Sequence, residues 1–157
     1  MQIGNISNKV LDYDENIIIL KEELENITNK INSLESKGKY ILYDTDYVNI
    51  SEFIFDDKTN ENTYDDDKYN CAHFSRDVNN NAEEKGLRCA YVIAFFDTGY
   101  PHALVAFSTT DKGLVFFEPQ TDEKVELEIG KDYWTECVIS DQSYESIGII
   151  VSYTLHW

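Results

Sequence analysis

At 157 residues the chain has the size of one domain with room for an appendage, and it is long enough to bury a real core. Hydrophobic residues make up 42% and aromatic residues 13%, the composition of a folded protein, while 30 acidic against 13 basic residues leave a net charge of −17. A polyanion of that size excludes nucleic acid and anionic lipid as partners, and it favours a cationic or amine-bearing one.

The chain opens on a row of Val10, Tyr13, Ile17, Leu20, Leu24, Ile27, Ile31 and Leu34, spaced by alternate steps of three and four. That is a heptad pattern, and it predicts an amphipathic helix from about Asp12 to Lys37, ended by Gly38. Two uses are open for it: a coiled coil joining two copies through residues 10–34, or a helix laid on the core, which Ile18 and Ile19 favour by widening the apolar face. The predicted organisation is therefore 1–38 as a helical segment and 39–157 as the main domain. Residues Lys39 to Phe55 mix aromatic, aliphatic and acidic side chains and read as a strand and a short helix. Asp56 to Lys68 is polar and acidic throughout. It lacks the glycine that a calcium-binding EF-hand loop needs at its sixth position, so it reads as a solvated loop.

From Cys71 the spacing of Cys71, Phe74, Val78 and Ala82 predicts a helix stopped by Gly86. Leu87 to Phe96 is a nearly unbroken apolar run, a strand covered on both faces. Turns at Thr98–Pro101 and Thr110–Gly113 then separate two more strands, HALVAFS from His102 and LVFFE closed by Pro119. Val125, Leu127 and Ile129 alternate with glutamates, as in a strand with one wet face. Asp132 to Ser140 is mixed, and Ile147 to Trp157 reads as a closing strand, central or well covered. Together these elements predict an α+β fold, an antiparallel sheet packed against the helix that carries Cys71.

Three chemically able residues fall at the ends of elements. Cys71 starts a helix, where partial positive charge favours a thiolate. His102 starts a strand and is able to exchange a proton with that sulfur. Glu118 ends the next strand, at the same end of the sheet if the two strands pair, where a carboxylate orients an imidazole. The remaining candidates read as structural. His73 lies two positions from Cys71 and faces elsewhere, and His156 is incidental. Cys89 and Cys137 sit in apolar runs as core thiols. Three cysteines without framework spacing imply no disulfide set. No paired ligand spacing points to zinc or any other metal, and no cofactor is implied. Asp122 is a second candidate for the acid. No signal peptide or apolar membrane span is read, and no compartment follows.

The order Cys71, then Gly-Leu-Arg-Cys-Ala at 86–90, His-Ala at 102–103 and Gly-Leu-Val-Phe-Phe-Glu-Pro at 113–119 resembles the transglutaminase-like superfamily. Those proteins are cysteine acyl-transfer enzymes of papain-like fold. The resemblance covers roughly residues 65 to 125. It implies a catalytic triad of Cys71 as thiol nucleophile, His102 as base and Glu118 as acid, with Glu118 standing where the family usually has Asp. Tyr69 and Asn70, just before the nucleophile, would help hold an oxyanion, although a helix cap is the better reading of Asn70. The implied function is that of a cysteine protease or amidase, a hydrolase acting on a peptide or protein substrate, with transamidation as the variant. The reading of another class is a noncatalytic binding or scaffold module assembled through the N-terminal helix.

Overall fold

The computed structural model describes residues 3–35 and 41–157; the side chains of 3–15 and 34–35 lie outside that description. The chain divides into two compact units, Met1–Ile41 and Leu42–Trp157.

The first unit holds helix α1 (Ile3–Glu35), which begins earlier than its heptad row suggests. Every described side chain from 16 to 33 is exposed, and the apolar Ile17, Ile18, Ile19, Leu20, Leu24, Ile27 and Ile31 range from 43% to 65%. Gly38 and the side chains of Val10, Tyr13 and Leu34 fall outside the described residues. Among those residues no helix is long and apolar enough to cross a membrane.

The second unit is α+β, built on a five-stranded antiparallel sheet. Its strands are β1 (Cys89–Phe96), β2 (Pro101–Thr109), β3 (Gly113–Phe117), β4 (Lys124–Val125) and β5 (Ile150–His156), in the spatial order β4-β3-β2-β1-β5. The alternation of strands sends successive side chains to opposite faces. One face offers Cys89, Val105, Phe107, Val115 and Phe117. These pack against Ile50, Phe53 and Ile54 of α2 (Tyr47–Asp56) and Val78 and Ala82 of α3 (Cys71–Glu84). The other face offers Ala90, Val92, Ala94, Leu104, Ala106 and Phe116, covered by Tyr133, Cys137 and Val138. Tyr133–Cys137 is a short π-helical turn, started by Asp132, whose Oδ1 accepts from the Thr135 N–H at 3.0 Å. The chain is thus apolar along β1 and β2 because both faces are covered.

Local chemistry sets the helix ends. Asp46 caps α2 by accepting from the Asn49 N–H at 2.9 Å. Helix α3 closes with Gly86 at φ +78°, the left-handed conformation that glycine adopts without strain. There Leu87 N–H donates to Ala82 and Gly86 N–H to Glu83, two bonds that satisfy the last turn.

Two expectations are corrected. The strand read from Val125 to Ile129 shrinks to Lys124–Val125, because the backbone turns away from β3 to bond Cys137 and Ile139. The closing strand is not central: β5 lies at the sheet edge, its outer residues exposed. Its apolar content reflects one covered face.

Candidate functional site

The β2–β3 register pairs Val105 with Phe117, which places His102 and Glu118 at the same end of the sheet. There His102 Nε2 donates to Glu118 Oε2 at 2.6 Å. The second donor on that oxygen is the Tyr133 hydroxyl, also at 2.6 Å. The other carboxylate oxygen accepts from the Gln120 backbone N–H and from its Nε2, both at 3.1 Å. Glu118 is 0% exposed, so an ionised carboxylate there faces a desolvation penalty of several kcal/mol. Four donors to a charge, at roughly 1.5–3 kcal/mol each, outweigh it. Burial pushes the Glu118 carboxyl up, but the His102 charge and these bonds carry it below its ordinary value.

Cys71 reaches the cluster from the first turn of α3. Its half-buried sulfur lies within electrostatic reach of the His102 ring and the Ala103 backbone. Burial raises the thiol, and the neighbouring His102 overcomes that, leaving Cys71 below its ordinary value. For His102 the balance runs the other way. Burial lowers it, while Glu118 and Cys71 together hold it up at about 10. The result is a sulfur biased toward the thiolate, facing an imidazolium, with the carboxylate and Tyr133 behind. A sulfur in that state accepts hydrogen bonds and reacts with electrophiles that reach it.

Cys71, His102 and Glu118 are therefore brought together, and the other candidates stand apart. Asn70 caps α3, its Oδ1 accepting from the Ala72 N–H at 3.2 Å. His73 completes that cap, its Nδ1 accepting from the Asn70 N–H at 3.2 Å. The Tyr69 hydroxyl donates to Asp77 at 2.6 Å, and its ring packs on Phe74. Cys89 and Cys137 are buried, and burial raises both thiols. Asp122 sits in a left-handed turn at φ 62°, half-buried, its carboxyl raised to about 7 by burial and then by Asp57. His156 lies at the exposed end of β5. Among the described residues no three His, Cys, Asp or Glu side chains stand close enough to hold a metal ion.

Sequence reasoning missed Tyr133, Gln120 and the aromatic wall. Trp134 lies 5.9 Å from the His102 ring and 4.6 Å from the Tyr144 ring, centroid to centroid. Tyr64 and Tyr91 are within electrostatic reach of the Cys71 sulfur. A buried tyrosine needs a partner for its hydroxyl, and that was the one signal able to single out Tyr133.

Fold and site together define an α+β domain with a thiol–imidazole–carboxylate cluster set among aromatic side chains. No family model matches the chain, and no curated protein matches it in sequence. Solved structures do match in part. One is the Polyporus squamosus lectin bound to the human-type influenza-binding epitope Neu5Aca2-6Galb1-4GlcNAc; 53% of this chain aligns with 34% of that one, at 17% identity and a TM-score of 0.47. Another is described as the PSL1a-E64 complex, where 48% of this chain aligns with 32% of that one, at 18% identity and a TM-score of 0.44. The chain spans about a third of each of those proteins, and at these scores the likeness carries no ligand over to it. The expectation of cysteine-dependent acyl transfer is corrected here. No family model and no curated relative supports that chemistry, and the named neighbour is described as a lectin, so no hydrolase or transferase activity and no peptide substrate is assigned to this chain.

Proposed function

We propose that the chain is a binding module whose recognition centre is the Cys71–His102 pair, held in place by Glu118 and Tyr133. The observation that supports this reading is a half-buried sulfur beside a positive ring, with Tyr64 and Tyr91 within electrostatic reach of the sulfur and Trp134 against the ring. Rigid aromatic side chains beside a few placed polar groups are the usual make-up of a ligand site, because they bury apolar area at small entropic cost. The net charge disfavours an anionic ligand, and the aromatic side chains suit a ligand with a flat apolar face. The order of Cys, His and acid seen in the transglutaminase-like outline supports treating the three residues as one site. The exposed apolar stripe of α1, from Ile17 to Ile31, supports its use in assembly, where a second copy would cover Leu20, Leu24 and Ile27.

The test is an NMR titration with neutral oligosaccharides, a sialylated trisaccharide, and basic and acidic peptides. Shifts at the Trp134 indole and the Cys71 amide are expected with a neutral or basic member, and Trp134→Ala or His102→Ala should weaken binding at least tenfold. No shift with any member would contradict the proposal. So would cleavage or amine incorporation that Cys71→Ala abolishes, since recognition would then serve chemistry.

A further inference from the structure

The outer edge of β5 carries an inference independent of that site. Seven residues long, Ile150-Val-Ser-Tyr-Thr-Leu-His156 closes the sheet without a charged residue or a proline. Edge strands usually carry such residues, which block pairing with another chain. A chain of net charge −17 that leaves this segment uncharged has an unguarded edge.

Its backbone direction follows from the bonds around it. Asp97 N–H donates to Ile149 O, so Asp97 faces β5, and alternation along β1 turns Phe95, Ile93 and Tyr91 the same way. Their register partners are Ser152, Thr154 and His156, whose backbone groups therefore point inward. Ile150 points outward, bonded to Gly130 and Lys131, and the register shift at Phe95/Phe96 accounts for the change of phase. The outward groups that remain belong to Tyr153 and Leu155. Among the described residues nothing in the chain bonds to them.

We propose that this edge pairs with the β5 edge of a second copy, antiparallel about a two-fold axis at Thr154, to make one ten-stranded sheet. That register is self-complementary. Tyr153 and Leu155 exchange backbone bonds with Leu155 and Tyr153 of the other copy, and Thr154 stands opposite Thr154, a favourable cross-strand pair. Tyr153 and Leu155 already pack on the covered face, so the new pairs extend that layer. Val151 and Trp157, 49% and 57% exposed, come opposite each other at the two ends. No like charges meet.

Sedimentation velocity on the full chain carrying Leu24→Asp separates this contact from any assembly through α1. That protein should sediment as a dimer, and adding Thr154→Glu, which sets two carboxylates face to face on an exposed position, should halve the mass with an unchanged circular dichroism spectrum. A Thr154→Cys chain supplies a readout that does not depend on that variant folding. Opposed residues at a non-hydrogen-bonded pair lie about 4.5 Å apart at Cα, within the range a disulfide spans, so air oxidation should link two copies through position 154. A monomeric Leu24→Asp chain, a dimer indifferent to Thr154→Glu, or the absence of that cross-link would each overturn the inference.

Discussion

Two carboxyl groups four residues apart meet opposite fates in this fold. Glu118 is fully buried and ionised; Asp122 is half exposed, and its carboxyl is raised to about 7. Burial alone would predict the reverse. What differs is company. Glu118 has four hydrogen-bond donors and an imidazolium, whereas Asp122 faces Asp57, with Lys58 as the opposing cation. Donors and counter-charge, more than depth, decide which group keeps its charge.

The sharpest way to break the contrast is Glu118→Ala. It strands a buried imidazolium and the Tyr133 hydroxyl, and it should cost about 3–5 kcal/mol in a denaturant titration. Tyr133→Phe removes one of the four donors and should cost about 1.5–3 kcal/mol. It should also lower the His102 pKa from about 10, as followed by imidazole NMR, because a less stabilised carboxylate supports the cation less.

The pair also shapes stability against pH. Glu118, with a folded value below its ordinary 4.5, contributes fully above pH 4.5 and loses that contribution as pH falls through its folded value. His102, raised from 6.5 to about 10, contributes fully below pH 6.5 and loses it as pH rises through about 10. Their joint contribution is therefore greatest between pH 4.5 and 6.5, and thermal melts across pH should show both limbs flattened in Tyr133→Phe. Asp122 acts with the opposite sign. Its folded value lies above its ordinary 3.8, so it erodes stability as pH rises from 3.8 to about 7. Asp122→Asn suits the left-handed turn and should stabilise the fold above pH 7, by on the order of 1 kcal/mol or less because the group is half exposed.

How much of this was legible follows from the range of the interactions. Helix α3, its glycine stop and the hairpin strands are written in local periodicity and turn residues, so Cys71, His102 and Glu118 could be placed at element ends. The partners that fix their charge are not local. Tyr133 returns from 15 residues beyond Glu118 through a π-helical turn that has no hydrophobic period of its own. β5 misled because edge and centre differ in what lies beside a strand, and an apolar run records only what lies above and below it. The family outline marked the residues of the cluster, but a functional assignment does not follow from such an order alone.

The account's central claim is that this partner set holds the Cys71 thiol below its ordinary pKa beside a charged His102. Thiolate absorbance near 240 nm, followed across pH in the wild type and in Cys71→Ser and His102→Ala chains, tests it directly. The account predicts an absorbance step below the ordinary thiol value of 9.0, absent from Cys71→Ser and moved upward in His102→Ala. A Cys71 that titrates at 9 or above in the folded protein, or that is indifferent to the loss of His102, would contradict it.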